Sequence, residues 1–142
     1  MSTITLDEVL TRHDQTVLDH LDREVSVPVV GFGRQGDVIV IPAALADRFE
    51  LRAATTPVPR AGVPVVRGEN GGNTHLLVAD GAVFFEQQTA SPQDLTLGVL
   101  SVGLGATAYL IHPEHGAIGF APGDYVVRRQ REQADELRLV QD

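Results

Sequence analysis

Over the first two dozen residues, apolar positions recur every three or four places: Leu6, Val9, Leu10, Val17, Leu18 and Leu21, with His13 on or beside the same stripe. That spacing predicts an N-terminal amphipathic helix within residues 1–24, running from about position 5, because side chains three and four apart share one helical face. Thr5 followed by Glu8 fits a capping box, and Asp7 and Glu8 suit the positive end of the helix dipole. At Val25 the period changes. VSVPVV (25–30), DVIVIP (37–42), VPVVRG (63–68), THLLVA (74–79) and AVFFE (82–86) are short, rich in β-branched or aromatic residues, and set apart by Gly, Pro or Asn. LTLGVLSV (95–102), ATAYLI (106–111), AIGFA (117–121), DYVVRRQR (124–131) and LRLV (137–140) continue the series. Short strands at this spacing predict one mainly β domain over residues 25–142, an antiparallel sandwich or a small barrel.

Several connections have their own chemistry. Asp80-Gly81 predicts a hairpin of type I′ between the strands on either side, since Asp-Gly supplies positive φ angles. Pro42 followed by AALADRFE predicts a short helix with proline in its first turn. Ala54 to Pro64, with Pro57 and Pro59 between them, predicts an extended surface loop. The apolar run Leu95–Ile111 is broken by Gly98, Ser101, Gly103 and Gly105, which suits two buried strands or a subunit interface better than a membrane span.

Composition narrows the chemistry. The 142 residues are enough for one domain and contain no cysteine, which excludes disulfides, thiolate nucleophiles and cysteine-ligated metals. All 11 basic residues are arginine, so a pyridoxal-phosphate anchor, Schiff-base chemistry and a P-loop lysine are excluded as well. A formal net charge of −8 disfavours nucleic acid and anionic membranes as partners. With no basic-then-apolar signal pattern at the N-terminus, a soluble cytoplasmic protein is the expectation.

Three groups of residues carry candidate chemistry. Gly31-Phe32-Gly33-Arg34-Gln35-Gly36 matches the spacing GxGxxG, but a strand-like segment follows where dinucleotide binding needs a helix N-terminus, so NAD is not expected and the motif reads as a glycine-rich turn. His112-Pro113-Glu114-His115 sets two imidazoles three residues apart across a stiffened turn, and His75 follows Gly68–Asn73, whose glycines and asparagines predict a loop able to approach a ligand. His75, His112 and His115, with Glu69 or Glu114 as a further ligand or general base, would suit a divalent metal such as zinc, iron, nickel or manganese. The alternative is that these histidines cap turns and bond loop carbonyls. Arg128, Arg129 and Arg131 form the basic cluster: Arg129 and Arg131 on one face of a strand would clamp an anion, or the group is a charged edge that discourages aggregation.

RQGDV (34–38), GENGGNTH (68–75) and HPEHGAIGFAPGDYVVRRQRE (112–132) together resemble a family of small, uncharacterised bacterial and phage β-rich proteins with RQGDV, GExxGHxH-like and HxEHxxIxLPxGxYxVxRQRE segments. The resemblance brackets Arg34–Glu132 and leaves out the N-terminal helix. Separately, His75, His112 and His115 with Glu69 or Glu114 are loosely similar to the ligand set of cupins, whose histidine-bearing strands line a small barrel; this resemblance implies a small cupin-like barrel, although the cupin order of ligands is not reproduced. Where the family loop carries two histidines, this chain has Asn73 and then His75, which weakens a metal site or removes it. Two functional expectations follow. One is a small structural or interaction module, self-associating as a homo-oligomer or joined to a protein partner in an assembly. The other is a metal-dependent, cupin-like enzyme or small-ligand sensor built on the histidines.

Overall fold

The computed structural model describes residues 4–19, 21–46, 53–66, 74–88 and 96–129. Among these residues one α-helix, α1 (Leu6–His13), precedes ten strands. These are β1 (Val29–Val30), β2 (Gly33–Gln35), β3 (Val38–Pro42), β4 (Val63–Val66), β5 (His75–Asp80), β6 (Val83–Gln87), β7 (Thr96–Val102), β8 (Thr107–His112), β9 (Gly116–Phe120) and β10 (Gly123–Arg129). They form two five-stranded sheets, β1-β9-β8-β5-β4 and β2-β3-β10-β7-β6, with every pairing antiparallel except β1 to β9. The fold is a sandwich; the two sheets do not close into the barrel that was the other expectation.

Hairpins alternate between the sheets. β2–β3 and β6–β7 lie in the second sheet, and β4–β5 and β8–β9 in the first. The connections between successive hairpins therefore cross from sheet to sheet. Asp80-Gly81 is one of these crossings, which corrects the expected type I′ hairpin: β5 pairs with β8 and β6 with β7. Gly81 has φ +96, whereas Asp80 has no positive φ, so the two-residue requirement of that turn is not met. The crossing is held from outside its own sequence. Gly103 donates its backbone N–H to Ala82 O at 2.8 Å, and a Cβ on Gly81 would meet the Ala106 Cβ at 2.9 Å.

The sheets enclose a core of Val38, Val40, Leu77, Leu100, Leu110, Phe120 and their neighbours. A second cluster joins Leu6, Val9 and Leu10 of α1 to Val78, Tyr109 and Ile111, which project from the opposite face of the first sheet. The result is three layers, helix on sheet on sheet. It explains why 106–111 shows no alternation: Ala108 and Leu110 face the second sheet while Tyr109 and Ile111 face the helix. The Leu97–Ile111 stretch is thus two buried strands, β7 and β8, in different sheets.

The helix is shorter than its apolar stripe. It ends at His13 because Asp14 takes a left-handed conformation (φ 55) and its N–H bonds back to Leu10 O and Thr11 O. Val17 still reaches the helical cluster, but from an irregular segment that returns along the helix start, where Leu6 N–H and Asp7 N–H donate to Val25 O and Arg23 O. The capping box is formed as expected. Thr5→Ala should therefore lower stability by about 1 kcal/mol, read from urea unfolding; no change would mean that packing alone holds the helix.

Elsewhere the differences are local. Of VSVPVV, only Val29–Val30 pairs as a strand. After Pro42 the helix is a single 3-10 turn, Ala43–Leu45. The 54–64 segment does not run free: Phe85 N–H and Val58 N–H exchange bonds with Thr56 O and Val83 O, and Glu86 accepts from Thr55 and Thr56, holding its carboxyl down at about 2. The strand expected over 137–140 lies outside the described residues.

Candidate functional site

His75 opens β5, His112 closes β8, and His115 lies in the turn from β8 to β9. Pairing of Leu76 with Ile111 brings the first two histidines side by side. The three rings gather: centroids are 4.4 Å apart for His75–His112, 4.5 Å for His112–His115 and 6.4 Å for His75–His115. The structure therefore brings the rings of His75, His112 and His115 together. His75 and His112 are each 3 % exposed, whereas His115 is on the surface.

The second sheet supplies groups that the histidine pattern did not suggest. Gln35, the last residue of β2 and only 4 % exposed, donates its amide N–H groups to Leu110 O (2.8 Å) and Gly116 O (3.2 Å). Two carbonyl acceptors fix the amide orientation, so its Oε1 must accept from His75 Nδ1 at 2.9 Å. That assigns the His75 proton to Nδ1 and leaves the Nε2 lone pair facing Asp37 Oδ1 at 3.4 Å. Arg129 Nε donates to the other Asp37 oxygen at 2.8 Å. Gln35 and Asp37 flank the β2–β3 turn, where Gly36 has φ +59 and a Cβ would meet His115 Nε2 at 3.0 Å. Here the RQGDV segment meets the histidines. The visible signal was a glutamine and an aspartate either side of a turn glycine.

His112 has a different role. Its Nδ1 accepts the backbone N–H of Glu114 at 3.0 Å and of His115 at 3.3 Å, so the ring caps its own turn. A neutral ring that accepts at Nδ1 carries its proton on Nε2, which removes that nitrogen as a ready metal ligand. Glu114 contributes its backbone N–H, and its side chain is exposed. Glu69, Asn73 and Arg131 lie outside the described residues. Arg129 is held by Asp37, so the cation expected to clamp an external anion has an internal carboxylate partner. Among the described residues no group of three or more His, Asp or Glu side chains is arranged to hold a metal ion.

Burial sets the charge states. It lowers the His75 pKa to about 4, helped by the His112 and His115 rings and opposed by Asp37. Partial burial pushes Asp37 upward, but the Arg129 hydrogen bond and charge outweigh it and hold the carboxyl below its ordinary value. At neutral pH the site is therefore a neutral His75 against an ionised Asp37–Arg129 pair.

Beside this cluster lies a groove of about 530 Å³ between the 21–28 segment and the β2–β3 turn, floored by β9. It opens because the chain diverges. β1 pairs with β9 only at Val29–Val30, while just upstream Val27 N–H bonds to Ile4 O and Ser26 bridges to Thr5.

Residues 34–130 match the family model described as Domain of unknown function (DUF8820). The chain belongs to this family. The matched span starts at Arg34 and encloses Gln35, Asp37, His75, His112, His115 and Arg129, while α1 falls outside it. No curated protein and no solved structure matches the chain. Among the described residues no helix is long and apolar enough to cross a membrane.

Proposed function

We propose that this member of the family is a non-catalytic interaction module that associates with a second copy of itself, and that its histidine cluster is a clasp between the sheets. The observation that carries this reading is the engagement of the ring nitrogens: His75 Nδ1 on Gln35, and His112 Nδ1 on two backbone N–H groups. A catalytic base needs a lone pair within reach of substrate; that of His112 Nδ1 is taken by backbone N–H groups, and that of His75 Nε2 is buried and faces Asp37. Gln35 comes from the second sheet and its partners Leu110, Gly116 and His75 from the first, so this amide ties together one end of the sandwich.

Self-association is supported by the short edge strands β1 and β2 and the apolar side chains beside them. Val29 is 47 % and Phe32 55 % exposed. Light scattering behind size-exclusion chromatography should give a dimer mass or more, returning to monomer with Phe32→Asp. Because each chain carries a net charge of −8, added salt should strengthen the association. A monomer at every concentration and salt would remove the self-association.

A second reading, a metal site, rests on one distance. Two ligands about 2.0–2.1 Å from a tetrahedral metal lie about 3.4 Å apart, and His75 Nε2 and Asp37 Oδ1 are separated by 3.4 Å. A carbonyl acceptor on the other ring nitrogen is the usual support of a ligating histidine. The exposed His115 ring would have to turn to supply a third ligand. Elemental analysis of tag-free protein decides between the two. The clasp predicts no stoichiometric zinc, iron, nickel or manganese after reconstitution. Near-stoichiometric metal that disappears in Asp37→Asn and His115→Ala would overturn it.

A further inference from the structure

The groove beside the clasp is differentiated along its length. Leu6, Val25, Val27 and Ile118 give it apolar walls, and Arg34, Gly36 and His115 line it beside the β2–β3 turn and the turn after β8. Arg34 Nη2 folds back onto Gly36 O at 3.3 Å, and the missing Cβ of Gly36 would lie 3.0 Å from His115 Nε2. A guanidinium and an imidazole thus both lie against Gly36, which has no side chain to stand between them. Among the described residues Arg34 has no carboxylate partner, in contrast to Arg12, Arg23 and Arg129, which are paired with Asp80, Asp7 and Asp37. The acidic group in the lining, Asp22, is already accepting the Glu24 N–H at 2.9 Å.

We propose that this groove binds a small organic monoanion with an apolar body, its carboxylate held by Arg34 and His115 and its chain laid along Leu6, Val25 and Val27. The volume of about 530 Å³ lies in the range of small-molecule sites, which are mostly apolar with a few convergent polar groups. A guanidinium fork beside an imidazole N–H matches the in-plane geometry of a carboxylate. The inference goes beyond self-association and holds equally for a monomer.

Octanoate titrated into the full chain, followed by calorimetry, is the direct test. Octanamide has the same body without the charge, and inorganic phosphate has the charge without the body. Saturable octanoate binding is expected, at least about tenfold tighter than octanamide, since a charge-assisted hydrogen bond contributes about 1.5–3 kcal/mol. Arg34→Gln should weaken octanoate at least about tenfold with an unchanged thermal midpoint, because Arg34 is exposed and, among the described residues, bonds to its own turn. Val25→Ser, on the apolar wall, should weaken octanoate and leave phosphate unaffected. No octanoate binding, equal binding of octanamide, equal binding of phosphate, or an unaffected Arg34→Gln would each overturn the proposal. The same titration on Phe32→Asp keeps this outcome separate from that of self-association.

Discussion

Gln35→Leu is expected to lower the unfolding free energy by about 3 kcal/mol or more, read from urea denaturation. Leucine fits the volume of the site but has no amide. Leu110 O and Gly116 O would lose their donor, and His75 Nδ1 its acceptor, all of them buried. Leaving one buried polar group unsatisfied costs about 1–3 kcal/mol, and three are exposed to that cost together. Some backbone polarity will be recovered by water or small shifts, hence the lower end of the sum. His115→Ala is the control: that ring is exposed, and its loss should cost less than about 1 kcal/mol. A Gln35→Leu protein within 1 kcal/mol of the parent would show that the amide is not the joint between the sheets.

Acidification should weaken the metal-free fold well before its carboxylates titrate. The unfolded chain takes up a proton on His75 near pH 6.5, whereas in the folded protein burial lowers that pKa to about 4. Between those values the unfolded state binds the extra proton, so stability is complete above about pH 6.5 and falls as the pH drops toward 4. The slope approaches about 1.4 kcal/mol per pH unit, a total of about 3 kcal/mol across the window. His13, lowered chiefly by its own burial, adds in the same direction. Asp37 does not confuse the window, because its stabilisation is lost only as the pH falls below its ordinary value of 3.8. Urea unfolding at pH 7.5, 6, 5 and 4.5 measures the slope, and His75→Gln should flatten most of it. An equally steep variant would place the lost protons elsewhere.

These two residues also show how far the sequence could be read. His75, His112 and His115 were visible as a group because imidazoles are rare and their spacing suggested a common point, and the rings do meet. Gln35 was missed. It sits in a glycine-rich stretch whose spacing imitates a nucleotide motif, and a glutamine has no pattern that marks it as buried. Its partners are 75 and 81 residues away along the chain. Asp37 and Arg129 are likewise 92 positions apart, so the arginine strand could be seen as basic but not as neutralised.

The sequence by itself determined the β class, the capped start of the helix and most strand positions, because each follows from period, capping chemistry and Gly or Pro punctuation within a few residues. Asp80-Gly81 marks where that reach ends. The dipeptide specifies that the chain turns, but not whether the next strand pairs beside the last one or crosses to the other sheet. That choice was made by β8 and β7, which pair with β5 and β6, and by Gly103 and Ala106, which hold the crossing. Only the tertiary structure decided the alternation of hairpins between sheets, the burial of both faces of β8 and the assembly of Gln35, Asp37 and His75. Each depends on contacts between residues distant in sequence, whose energies no local pattern records.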